Sequence, residues 1–299
     1  MSVALLPLAV FGLRLSVAVC CILVAALQLQ VCACCAMVAG LWLRVPGCRC
    51  LRSNVEGQLM AKKVGRRIIS VMNKKGGCGK STLVRGLASV AIDRGQRVTI
   101  FDTDDNAGIY HWKNDASAQG YWHDRAEVIA TLSAEEVISA INSIYEKPEE
   151  DHLILIDTFG GGSEAQDEMA MESHLIVAPC RPSSQDVRDT TETGMWHVRL
   201  KDRVTRPENV PPFRVIGSHV PQKITESASQ QLGIMFDSLP MLDDFVLVRA
   251  CYERMNDSGL LGVVRDKHPN RSLAKSLQDG IKEMGDLLDE FDRIIKENE

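Results

Sequence analysis

Residues 68–82 read Ile-Ile-Ser-Val-Met-Asn-Lys-Lys-Gly-Gly-Cys-Gly-Lys-Ser-Thr. The first five, Ile68 to Met72, form a short apolar run of the kind that makes a buried strand. After Thr82 the apolar residues Leu83, Leu87, Val90 and Ala91 recur at helical spacing. A strand, a glycine-rich turn and a helix in that order make a phosphate cradle. Glycines at 76, 77 and 79 let backbone N–H groups close around phosphate oxygens, and the helix N-terminus adds positive potential. The spacing places Lys80 to bridge the β- and γ-phosphates of a nucleotide and the Ser81 hydroxyl to ligate Mg2+. Gly76, Gly77, Cys78, Gly79, Lys80, Ser81 and Thr82 are therefore the expected nucleotide-binding residues. Cys78 occupies a variable position of such loops and reads as a small filler rather than a redox group.

Outward from this loop the chain alternates strands and helices. Arg97 to Phe101 reads as a strand ending in the acidic run Asp102-Thr103-Asp104-Asp105-Asn106. Leu153 to Ile156 is a continuous apolar run, as a central parallel strand requires, and it ends in Asp157-Thr158-Phe159-Gly160-Gly161-Gly162. Two more apolar runs, Leu175 to Ala178 and Val215 to Gly217, lead into the loops at 179–182 and 218–221. The pattern predicts an α/β fold: a three-layer P-loop NTPase sandwich with a mainly parallel sheet and helices on both faces.

The entrance of the loop carries an extra lysine, Lys75. The sequence Lys75-Gly76-Gly77-Cys78-Gly79-Lys80-Ser81 resembles the deviant Walker A motif of the ParA/MinD ATPases. That resemblance implies that Lys75 reaches across a dimer interface to the partner's nucleotide. It implies that Asp102 and Asp104 match an Asp-x-Asp pair whose second member, Asp104, positions the attacking water. It makes Asp157 the Walker B carboxylate, holding magnesium through water. It also puts the adenine near the loops after 178 and 217. The prolines that often follow the Walker B aspartate are replaced here by Phe159 and glycines.

From about Arg66 to the C-terminus the chain is most similar to the VirC class, the ParA-like virulence proteins of agrobacterial T-DNA transfer. The likeness rests on Phe101-Asp102-Thr103-Asp104-Asp105-Asn106, Trp112-Lys113, Asp157-Thr158-Phe159-Gly160-Gly161, Leu239-Pro240, Arg249-Ala250 and Met255. That class binds an enhancer beside the transfer-DNA border and helps assemble the relaxosome. The resemblance implies slow Mg-ATP hydrolysis used as a switch, an ATP-dependent homodimer, DNA binding through backbone contacts, and a relaxosome or partition partner. Two other classes stay open: a metabolic P-loop enzyme of kinase or amidoligase type, and a membrane-anchored scaffold that binds nucleotide.

Composition divides the chain. It has 299 residues, a formal net charge of −5, 45% hydrophobic and 24% charged residues, which excludes disorder. With 5% aromatic residues, base stacking on single strands is not expected to be the main activity. Residues 1–59 hold seven of the ten cysteines, four arginines and one glutamate, so the remainder carries a net −8. From Leu15 to Leu43 there is no charge, enough to span a bilayer as a helix; Arg44, Arg49 and Arg52 then leave the body in the cytoplasm, anchored at the inner membrane. The reading we favour makes residues 1–59 a leader from a start codon assigned too early. Met60-Ala-Lys-Lys is then the natural start of a cytoplasmic ATPase domain over 60–299. Cys78, Cys180 and Cys251 of the body suit a reducing compartment.

Apolar residues from Leu273 to Ile295 recur every three or four positions, predicting an amphipathic helix with an acidic outer face, packed on the sheet and not on a membrane. Two basic groupings, Arg199/Lys201/Arg203/Arg206 and Arg249/Arg254/Arg265/Lys267/Arg271/Lys275, are either solvated surface or a DNA-backbone patch. The seven histidines show no metal-ligand spacing, and Trp112 and Trp122 read as local packing.

Overall fold

A computed structural model describes residues 65–148, 150–159 and 163–298, together with the backbone of Met37–Val38 and Leu41–Trp42. The last two form a short antiparallel pair. The rest of the charge-free stretch at 15–43 and the proposed start at Met60 lie outside the described residues.

Seven strands carry the body: β1 (Arg66–Asn73), β2 (Arg97–Thr103), β3 (Ala126–Ala130), β4 (His152–Phe159), β5 (Leu175–Cys180), β6 (Phe213–Val220) and β7 (Met241–Leu247). They form one sheet in the order β3-β2-β4-β1-β5-β6-β7. Every pairing in it is parallel, where the sequence predicted only a mainly parallel sheet. The helices are α1 (Lys80–Asp93), α2 (Gly108–Ala118), α3 (Ala134–Tyr145), α4 (Glu164–Met171), α5 (Ser184–Arg203), α6 (Glu226–Ser238), α7 (Ala250–Ser258), α8 (Leu261–Lys267) and α9 (Arg271–Asn298).

Strand alternation divides the apolar residues between two layers. Ile69 and Val71 of β1 and Leu153 and Leu155 of β4 point into a core shared with α1, α7, α8 and α9. Ile68, Ile154 and Ile156 point the other way, onto α3. Met72, Ile176 and Ala178 meet residues of α5 and α6. Helices thus cover both faces, which is the predicted three-layer sandwich.

The C-terminal helix α9 is packed as its periodicity predicted. Leu277, Ile281, Met284, Leu288, Phe291 and Ile295 are buried in the core with α1. Gly86 of α1 lets Met284 pack close: a Cβ there would stand 2.8 Å from the Met284 sulfur, which would have to shift. Arg94 at the end of α1 clamps Asp289 of α9 in a two-bond pair of 2.7 and 2.9 Å. At the N-terminal end of β1, buried Arg67 pairs with Asp292 of α9 at 3.1 Å. Among the described residues no helix is long and apolar enough to cross a membrane.

All seven strands run the same way, so their C-terminal ends line one edge of the sheet. The chain leaves β1 toward β2 on one side and later passes from β4 over β1 to β5 on the other. Connections therefore diverge around β1, and a crevice at such a switch point is where parallel α/β sheets bind ligands. The glycine loop sits there.

Candidate functional site

The loop between β1 and α1 is shaped by left-handed backbone at Gly77 (φ +72°) and Gly79 (φ +107°), a region that residues with a Cβ rarely enter. α3, α4, α5 and α6 are each capped by the hydroxyl of a preceding Ser or Thr. α1 has no side-chain cap; its N-cap is Gly79 itself. Its first amides are thus the orphan donors that suit an anion.

Asn73, fully buried at the end of β1, anchors the loop entrance. Its Nδ2 donates to Pro179 O (2.8 Å) and Thr190 Oγ1 (2.7 Å). Its Oδ1 accepts from Lys75 N (3.1 Å) and Thr193 Oγ1 (3.3 Å). One side chain therefore ties β1, β5, α5 and the loop together with all of its hydrogen-bonding capacity. Lys75 Nζ lies 3.7 Å from Asp189 of α5, and Lys74 pairs with Glu192 one turn further on. Lys80 is buried, with Nζ donating to Lys75 O at 3.1 Å. Cys78 is fully buried, with Sγ donating to Lys75 O at 3.2 Å. Burial pushes its thiol pKa up, which keeps it protonated and fits a filler.

The structure brings Ser81 and Asp157 together: Ser81 Oγ donates to Asp157 Oδ2 at 2.8 Å. Asp157 is buried, and its Oδ1 has no hydrogen-bond partner among the described residues. Burial raises its pKa to about 7, against the opposing pull of the Ser81 hydrogen bond and the Lys80 charge. A buried carboxylate bonded to a half-buried hydroxyl, with one oxygen left over beside a phosphate-shaped loop, fits a hard cation. Mg2+ commonly takes only one or two protein oxygens and completes its shell with phosphates and water.

Asp102 is the direct register partner of Asp157 across β2 and β4. Its Oδ2 accepts from Ile109 N (2.8 Å) and Tyr110 N (3.0 Å), so this carboxylate caps α2. Asp104 follows directly after β2, partly buried, with Oδ1 accepting from Asn106 N at 2.9 Å and Asn106 Nδ2 at 2.8 Å. Arg85 of α1 backs this acidic pair. Its guanidinium donates to Asn256 and Gly108 O, lies over Trp112, and feels the charges of Asp157 and Asp102.

Sequence reasoning did not assign Asn73, Arg85, Ser218 or Asp189. Ser218 Oγ donates to Cys78 O at 2.5 Å, and Asp189 holds Lys75. Of these only Asn73, adjoining the loop, lay where the motif itself could have pointed. Trp112 and Trp122 do pack together, edge to face at 5.1 Å, and Trp112 Nε1 donates to Met255 O. His152 and His197 are also structural, bonded to Thr99 and to Pro211 O. Half of the second basic grouping is engaged within the fold: Arg249 is bonded to Glu283, Arg265 to Asp93, and Lys267 to Gly120 O.

Comparison with known proteins decides the family. The family described as VirC1 protein matches residues 66–297, from the first residue of β1 to the last turn of α9. The chain belongs to the VirC1 family. Every residue of the site lies inside the VirC1 match. The virC1 protein of Rhizobium rhizogenes is 27% identical over 225 residues, covering 73% of this chain and 94% of that protein. That of Rhizobium radiobacter is 27% identical over 197 residues, covering 65% and 82%. Among solved structures, the ATP complex of a McdA variant from Cyanothece is similar with a TM-score of 0.52 and 14% identity, covering 75% of this chain and 98% of that one. The MinD cell division protein of Aquifex aeolicus is similar at 0.51 and 14%, covering 73% and 96%. The chain thus has the α/β fold of the ParA/MinD-type P-loop proteins.

Proposed function

We propose that this protein is an Mg-ATP-dependent dimerising switch that acts on DNA in T-DNA transfer or plasmid partition. The observation that carries the proposal is the Ser81–Asp157 pair, 2.8 Å apart beside buried Lys80, at the N-terminus of an uncapped helix. That arrangement suits a nucleotide triphosphate with its cation and has no other evident use for a buried carboxylate.

Each residue then has a physical task. Gly76 to Thr82 bind the phosphates through backbone amides and the start of α1. Lys80 leaves Lys75 O to neutralise the β- and γ-phosphates. Ser81 and Asp157 hold the cation, which when bound supplies charge neutralisation across those phosphates. Asp104, at the end of the neighbouring strand, orients the attacking water. Lys75 must leave Asp189 before it can reach a partner subunit. ATP joins two subunits and hydrolysis separates them, a slow cycle suited to changing state. DNA contact falls to basic side chains with no hydrogen bond or ion pair among the described residues: Arg199 and Lys201 near the end of α5, Arg206 just beyond it, and Arg254, Arg271 and Lys275. A relaxosome or partition protein is the expected partner, and the cytoplasm the expected compartment. Residues 1–59 are read as leader, with the domain starting at Met60.

The test is DNA binding with ATP and with ADP across a salt series, with Lys80→Ala as control. Salt-sensitive binding that needs ATP and vanishes in the variant supports the switch. No binding in any nucleotide state overturns the DNA role.

A further inference from the structure

His219, the last residue but one of β6, has left-handed backbone, φ +51°. Among the described residues only one other non-glycine, Ala107, has positive φ. Such a conformation is strained and persists only where its surroundings demand it. The surroundings here are the phosphate loop. The edge of the His219 ring faces Gly79: a Cβ built there would stand 3.0 Å from His219 Cε1 and 3.1 Å from Nδ1. The residue before it, Ser218, donates to Cys78 O. Two consecutive strand residues thus engage two consecutive loop residues. A regular pleat would send them to opposite faces of the sheet. The left-handed turn at His219, with the irregular β6–β7 register between Gly217 and Val220, lets both reach the same loop. Nδ1 is buried with no partner among the described residues, so the ring's contact with the loop within this chain is steric. Burial and the nearby Arg181 charge also lower its pKa, keeping the ring neutral. What the ring supplies is a wall against Gly79.

We propose that His219 is a positioning residue of the phosphate loop, holding Gly79 in the left-handed conformation that aims the first amides of α1 at the ligand's phosphates. The inference rests on the reading of the loop as a nucleotide site and adds a residue outside the motif. It acts through Gly79 and needs no contact with base or ribose.

The test uses His219→Gly and His219→Asn, two residues that tolerate left-handed backbone and remove the ring. Affinities for Mg-ATP and for Mg-pyrophosphate, which has phosphates and no nucleoside, are measured by titration calorimetry. Thermal melting is followed alongside, and Lys80→Ala serves as the loop control. Both variants should melt close to the wild type and lose about tenfold or more in affinity, by the same factor for the two ligands. A loss for Mg-ATP alone would make His219 a nucleoside contact and overturn the proposal. Unchanged affinities for both would make it a packing residue and overturn it too. Failure of the underlying reading looks different: the wild type itself would bind neither ligand, and Lys80→Ala would change nothing.

Discussion

Raising the pH of the nucleotide-free protein from 5 to 8 should weaken its fold through one side chain, Asp157. Burial lifts its folded-state pKa from 3.8 to about 7. Between those values the folded protein holds a proton that the unfolded chain has released. Stability from this group is therefore full below about pH 4 and is lost as the pH rises through 7. At about 1.36 kcal/mol per pKa unit, a shift of about three units is worth about 4 kcal/mol as an upper bound, because protein relaxation screens buried charge. Asp157→Asn keeps the shape and cannot ionise. The difference in urea-unfolding free energy between variant and wild type, without Mg2+, should then grow with pH in the variant's favour. The slope should approach 1.36 kcal/mol per unit between about pH 5 and 7, and flatten above 8. Added Mg2+ and nucleotide should reverse the order, because a cation takes the proton's place and binds the carboxylate. Parallel pH profiles from 5 to 8 would mean that Asp157 is already ionised in the empty site, and the reasoning from burial would fail.

Two further outcomes follow from the loop's supports. Asn73→Ala removes four hydrogen bonds and strands buried partners in β5, α5 and the loop. It should cost about 3 kcal/mol or more in denaturant unfolding, with nucleotide affinity falling as well; a cost under about 1 kcal/mol would contradict its role as the anchor. Asp189→Ala frees Lys75 from its contact within the same subunit, and ATP-dependent dimerisation followed by light scattering should then occur at lower protein concentration. Weaker dimerisation in this variant would show that Asp189 supports the interface instead.

The parts of the site legible in the sequence are those built by neighbours in the chain. Gly76 to Thr82 form one turn and the start of one helix, so residue types at fixed spacing specify their geometry. Asp157 was legible because the apolar run before it and the glycines after it resemble a Walker B strand. Strand order was not legible. The position of β1 between β4 and β5 depends on pairings between residues about a hundred positions apart, such as Ser70 with Ile176. Asp102 was matched by motif to an acidic pair, and its hydrogen bonds to the first amides of α2 emerge only once that helix is placed. The basic grouping at 249–275 stayed open between solvated surface and patch because spacing cannot reveal that Glu283 and Asp93 arrive from other elements to bind part of it. His219 gave no signal, since its conformation is dictated by a loop 140 residues earlier.

The central claim is that this loop binds Mg-ATP, and the most direct measurement is calorimetric titration of Mg-ATP into the wild type and into Lys80→Ala. The account predicts saturable binding of one nucleotide per chain in the wild type, and its loss in the variant. Wild-type protein that takes up no Mg-ATP, or a variant that binds it equally well, would contradict the account.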